Sequence, residues 1–196
     1  MKRFFILFLP FLLQANVTRA TEQTICDSSQ TEIIKGAVET AREGMQLAVT
    51  TLTDPDNDSI DLYAKWFGAP ASDTVESVKG VYENALTYLD FQLYLCPNKS
   101  LPGDDWEPGD IAATTIGDPF SIEVLPLFFE LDDKGENAKP GIIVHEMSHH
   151  ETVGDTEDHG EYGSEAALNR AAADPDLARD TAANYQYFIV DLLNLL

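Results

Sequence analysis

His145, Glu146 and His149 fall in the run His145-Glu146-Met147-Ser148-His149, an H-E-x-x-H pattern. On a helix, residues four apart share one face, so both imidazoles can reach one ion while Glu146 stands beside them. This is the zinc-peptidase arrangement: the histidines bind Zn²⁺ and the glutamate serves as general base. Zinc in such a site brings the pKa of bound water to roughly 7 and polarises a carbonyl. A catalytic zinc site takes a third protein ligand. Metzincins would continue with Gly and His where this sequence has Thr152 and Asp155. A glutamate from a later helix would be Glu165, and Glu157, Asp158 and His159 are the other candidates. Spacing alone leaves that choice open. The four histidines of the chain all lie between His145 and His159.

The elements that must position these residues follow from periodicity. Ser29-Gln30-Thr31-Glu32 has capping-box form. After it, Ile33, Ile34, Ala37, Val38, Ala41, Met45, Ala48, Val49 and Leu52 recur at helical spacing. A short helix is predicted over 60–67, and Val75, Val78, Val81, Ala85 and Leu89 mark a third that begins near Asp73. Three segments read as strands: 91–95, 111–116 and 121–125. The Pro-, Gly- and Asp-rich stretch 97–110 is a loop, and 132–140 is a polar turn. Gly141-Ile142-Ile143-Val144 leads an apolar approach into the histidine motif, as a buried helix requires. Segments 164–173 and 176–195 close the chain as two helices separated near Pro175. The expected fold is α+β and mainly helical, with a small sheet in the middle.

Composition limits what such a site can serve. The chain has 196 residues, 44% apolar and 23% charged, which is ordinary globular composition and argues against disorder. One domain is expected, large enough to fold without a metal. Thirty-four acidic residues against 12 basic ones give a net charge of −22, the wrong sign for binding nucleic acid or an anionic membrane. Residues 1–20 read as a secretory signal: Lys2 and Arg3, an apolar run from Phe4 to Leu13, then Thr18-Arg19-Ala20 before a cut. The run is too short to span a membrane as a helix. Residues 21–196 then form the mature domain, with nine basic residues against the same 34 acidic ones, a charge of −25. No membrane attachment is expected after the signal is removed, and a monomer is expected. In that compartment the two cysteines, Cys26 and Cys96, are expected to pair and could add about 4 kcal/mol by closing a long loop. Asn57 and Asn98 head glycosylation sequons. The acidic pairs Asp104-Asp105 and Asp132-Asp133 do not follow calcium-loop spacing and read as solvated loops.

Taken together, the motifs resemble the deuterolysin-type peptidases, or aspzincins, and within them the peptidyl-Lys metalloendopeptidase branch. In that family H-E-x-x-H is followed by G-T-x-D-x-x-Y-G. Here the second part reads from Asp155 to Gly163, with Thr156 and Asp158 matching T-x-D and Tyr162 and Gly163 matching Y-G. Tyr63-Ala64-Lys65-Trp66-Phe67-Gly68 is similar to the family's Y-x-x-W-F-G. Phe128-Phe129 resembles its F-F, without the usual preceding Cys, and 184–188 its N-Y-x-Y-F. The resemblance implies a zincin-like metallopeptidase domain with one Zn²⁺ per chain on His145, His149 and Asp158. It implies Glu146 and Tyr162 as the catalytic pair, the tyrosine donating to the oxyanion. The Cys26–Cys96 interval suits the family's long disulfide. Three departures stand out: Asp155 replaces a Gly, one extra residue separates Asp158 from Tyr162, and a second family disulfide cannot form. The short stretch before Cys26 leads to the expectation of no long propeptide.

In the lysine-specific branch an Asp and a Glu near the closing motif receive the substrate lysine. Ala183 and Gln186 align with them here, so the resemblance assigns them to the substrate pocket. A lysine ammonium would find neither carboxylate, and an unpaired buried charge is costly. No strict lysine preference is expected. The reading is a secreted zinc-dependent endopeptidase acting on protein or peptide substrates. Its rival is a secreted effector or toxin that binds zinc with little or no turnover. A third reading, an adhesive protein with incidental histidines, expects no stoichiometric zinc.

Overall fold

A computed structural model describes residues 26–97, 110–114, 121–160 and 162–196. The predicted signal, the Asn98 sequon and most of the 97–110 loop lie outside these residues. The first helix, α1 (Ser28–Thr53), buries Ile34, Ala37, Val38, Ala41, Met45, Ala48 and Leu52 along one stripe. Its cap lies two residues earlier than the Ser29 pattern suggests. Asp27 accepts from the Gln30 N–H at 2.8 Å, and the Gln30 side chain accepts from the Asp27 N–H at 2.9 Å. Asp27-x-x-Gln30 therefore forms the capping box in place of Ser29-x-x-Glu32. Cys26, immediately before the cap, is bonded to Cys96.

Helices α2 (Asn57–Phe67) and α3 (Ser72–Tyr88) follow, each starting slightly before its predicted limit. Asp56 caps α2 through the Ser59 N–H. A 3-10 turn at Leu89–Phe91 displaces the start of the first predicted strand, leaving β1 (Leu93–Leu95). Strands β2 (Ala112–Thr114) and β3 (Ser121–Val124) complete a sheet of order β1-β3-β2. β1 runs parallel to β3, with Tyr94 opposite Ile122, and β2 runs antiparallel to β3, with Ala113 opposite Glu123.

Helix α4 (Lys139–His149) carries the histidine motif. The predicted polar turn ends before it: Lys139 and Pro140 already form the first helical turn, where a proline's fixed φ is compatible and no N–H is missed. Every residue from Lys139 to Ser148 is buried, which marks α4 as a central rather than an amphipathic surface helix. Lys139 is accommodated by its Nζ donating to the Leu131 carbonyl and pairing with Asp133 at 3.1 Å.

Three helices close the chain where two were predicted: α5 (Ser164–Ala173), α6 (Pro175–Arg179) and α7 (Ala182–Leu192). The predicted segment 176–195 breaks at Asp180-Thr181 because Thr181 leaves the helix to form a parallel bridge with Glu157. α7 packs along α4, and Gly141 permits the approach: a Cβ there would meet Val190 Cγ2 at 2.5 Å. The Y-x-x-W-F and N-Y-x-Y-F matches meet in one aromatic cluster. Trp66 stacks on Tyr187 with ring centroids 5.4 Å apart, and Phe67 lies 5.0 Å from Tyr185 and 5.5 Å from Phe188. No helix of the described residues is long and apolar enough to cross a membrane.

Candidate metal centre

α4 presents His145 and His149 on one face, their ring centroids 4.9 Å apart and nearly perpendicular. After His149 the chain turns back sharply. The His150 carbonyl accepts from the N–H groups of Val153, Gly154 and Asp155, and Thr156 N–H returns to the Ser148 carbonyl. Asp155 makes the reversal with φ +51, a left-handed conformation that glycine adopts freely and aspartate tolerates. The family's glycine at this position thus has a geometric reason, and Asp155 satisfies it at some strain.

The turn delivers two supports to the helix. Thr156 is buried, and its carbonyl meets His149 Nδ1 at 2.7 Å. A carbonyl can only accept, so Nδ1 carries a proton, which leaves Nε2 as the nitrogen turned toward the cluster. The Thr156 hydroxyl also bonds Ser148 Oγ at 2.7 Å, while Ser148 Oγ donates to the His145 carbonyl. Outer partners of this kind fix the orientation of metal-ligating imidazoles.

Asp158 then comes back over the helix. Its Oδ1 lies 3.2 Å from His145 Nε2 and its Oδ2 3.7 Å from His149 Nε2. One ligand atom from each of the three residues falls within 4.8 Å of the others, a group able to hold a metal ion. Tyr162 donates from its hydroxyl to Asp158 Oδ2 at 3.1 Å and is largely exposed. The other candidate ligands fall outside this group. His159 pairs with Asp180 at 2.7 Å, the backbone of Glu157 forms the bridge to Thr181, and Glu165 is exposed in the first turn of α5. His150 is buried against Gln92. Ala183 and Gln186 are both buried on α7. The Gln186 side chain stands beside His145 and donates its amide to the Glu136 carbonyl at 2.9 Å.

Electrostatics bind the group together. Burial disfavours a charged His145, yet the bond to Asp158 and the charges of Glu146 and Asp158 outweigh it and lift the imidazole above its ordinary value. Burial likewise disfavours ionised Asp158, but the His145 hydrogen bond and the two imidazoles hold its carboxyl down at about 2. Desolvation and the Asp158 charge push the Tyr162 phenol up to about 12, so it remains a donor at neutral pH. Two imidazoles and a carboxylate are a donor set suited to zinc. The buried Nδ1 of His145 has no hydrogen-bond partner, whereas Nε2 faces the cluster.

Comparison with known proteins gives this arrangement its class. The chain belongs to the aspzincin family described as lysine-specific metallo-endopeptidase, whose profile matches residues 52–190. Family membership implies a metal, and the His145, His149 and Asp158 group is where the described residues could hold one. Among relatives, an extracellular protease of Aeromonas hydrophila is 27% identical over 164 residues, covering 83% of this chain and 45% of that protein. A peptidyl-Lys metalloendopeptidase of Armillaria mellea is 25% identical over 177 residues, covering 89% of this chain and 48% of that protein. The chain therefore spans about half the length of these relatives. In fold it is similar to a zinc peptidase from Grifola frondosa, with a TM-score of 0.74 at 24% identity, covering 85% of this chain and 97% of the other.

The residues alone did not single out the supports. Thr156 entered as a letter of the family pattern, and its carbonyl's role emerges only from the turn. Asn184 likewise entered only as a letter of N-Y-x-Y-F, and Arg170 carried no motif signal, because both act on groups distant in sequence.

Proposed function

We propose that the chain is a secreted, monomeric zinc endopeptidase, with residues 1–20 as its signal and 21–196 as its one catalytic domain. His145, His149 and Asp158 hold one zinc ion. Bound there, zinc supplies Lewis acidity toward water and toward the scissile carbonyl. Glu146 takes a proton from the attacking water and returns it to the leaving amine. Tyr162 turns its hydroxyl from Asp158 to the oxyanion that develops on the carbonyl. What carries this reading is the convergence of three ligand atoms within 4.8 Å on a helix that also bears Glu146.

Ala183 and Gln186 line the substrate side-chain pocket in this reading. Neither is charged, so cleavage is not confined to the lysine bond that the Armillaria relative's name specifies. Secretion is supported by the Cys26–Cys96 disulfide and by the extracellular relative. The test is a digest of a proteome-derived peptide library by wild type and Glu146→Gln, each with and without chelator. Wild type is expected to cleave, chelator and substitution to abolish cleavage, and the cut sites to extend beyond lysine. Equal activity in Glu146→Gln would sink the chemical assignment. Cleavage almost exclusively before lysine would sink the pocket assignment alone.

A further inference from the structure

Asp158 projects from a short stretch whose backbone is fixed on both sides. On the N-terminal side, Glu157 N–H donates to the Asp180 carbonyl at 2.8 Å, and Ala182 N–H donates to the Glu157 carbonyl at 3.2 Å. On the C-terminal side, the anchor is a side chain: Arg170 Nη2 donates to the carbonyl of His159. Beyond His159 the chain contains Gly160 and Gly163, at φ +79 and φ +103. Glycines impose little stiffness of their own, so the path past Asp158 depends on external restraint.

Arg170 is itself held. Its Nη1 donates to Asn184 Oδ1 at 3.2 Å. Asn184 is fully buried, and its amide nitrogen donates to the Trp66 carbonyl at 2.6 Å and the Ala167 carbonyl at 3.1 Å. Those two bonds leave the amide no freedom to flip, so Oδ1 must face the guanidinium. α2, α5 and α7 thus converge on one buried amide, which aims Arg170 at the residue following Asp158.

We propose that Arg170, oriented by Asn184, is a positioning residue for the metal centre: by holding the His159 carbonyl it presents Asp158 to His145 and His149. The proposal rests on the zinc reading above, and it concerns affinity rather than chemistry. Outer partners of metal ligands typically contribute 10- to 100-fold in affinity.

The test is the zinc dissociation constant, measured by competition with a chromogenic chelator for wild type, Arg170→Gln, Asp158→Asn and the double variant. Thermal unfolding of each metal-free protein accompanies it. Arg170→Gln is expected to weaken zinc binding about 10- to 100-fold, yet to add less than about threefold once Asp158 is Asn, since the effect passes through that side chain. A purely structural arginine would lower the metal-free midpoint and leave the affinity of the folded protein unchanged. Affinity within about threefold of wild type, or a loss that multiplies fully with Asp158→Asn, overturns the proposal. Should the Gln variant not fold, Arg170→Lys keeps the charge and one donor; intermediate affinity is expected, and wild-type affinity overturns the idea. Wild type that binds no zinc in this assay removes the zinc reading itself, and this proposal with it.

Discussion

Helix α4 and the segment from Asp155 to Gly163 supply one cluster from opposite environments. On the helix, His145 and Glu146 are buried, and the ring spacing follows from the helical repeat. On the segment, Asp158 and Tyr162 are exposed, and their positions follow from a left-handed Asp155, a bridge to Thr181 and a guanidinium on the His159 carbonyl. The helix is positioned by packing, so any shift there disturbs the core. The segment is positioned by a few hydrogen bonds, so it can change length and residue type while the helix cannot. Within the zinc motifs, the departures from the family pattern lie in the segment, at Asp155 and in the extra residue before Tyr162, while H-E-x-x-H is intact.

This contrast can be tested by substitutions on either side of it. The largest effect is expected from Glu146→Gln on the helix: kcat on a peptide substrate falls about 10²- to 10⁴-fold or more, while zinc stoichiometry measured by metal analysis stays at wild type. Next, Tyr162→Phe on the segment lowers kcat by about 10²-fold with little change in KM, if the hydroxyl reaches the oxyanion despite the extra residue. A loss below about threefold would remove Tyr162 from the chemistry. Gly141→Ala drives a methyl into Val190 and lowers unfolding stability by about 1–3 kcal/mol in chemical denaturation. Smallest of all is the turn. Asp155→Gly relieves the left-handed residue, partly offset by a freer unfolded chain, and stabilises by at most about 1 kcal/mol. Asp155→Ala should destabilise. If the glycine variant lowered the midpoint instead, the segment would depend on the aspartate side chain rather than on its backbone.

The same contrast explains what could be read in advance. The α1 stripe and the H-E-x-x-H face are legible because helical period alone places their side chains. The Ser29 pattern reads as the cap of α1, but the Asp27 register, directly beside the disulfide at Cys26, is the one that forms. The last helix was read as continuous because nothing near Thr181 announces Glu157, its partner from a distant loop. Among Glu157, Asp158 and His159, residue type could not choose a ligand. Which of them meets the two imidazoles depends on how an irregular backbone is anchored, here by Asp180 and Ala182 at Glu157 and by Arg170 at His159. The Y-x-x-W-F and N-Y-x-Y-F motifs were recognisable as strings, but that they form one cluster is a tertiary fact.

The glycine at position 141 has a consequence for how such a protein could acquire a new preference. With a methyl's width removed between α4 and α7, the two helices are locked at close range, and Gln186 lies within the same contact, its Cγ 3.1 Å from where a Gly141 Cβ would stand. The helix bearing the proposed zinc ligands and the helix bearing the proposed pocket positions therefore behave as one rigid gauge. Sliding α7 to widen or shift the pocket would dislodge His145 as well. On the proposed reading, selectivity is open to revision by exchanging side chains at Ala183 and Gln186, while the distance from the proposed metal site to the recognised side chain stays constant.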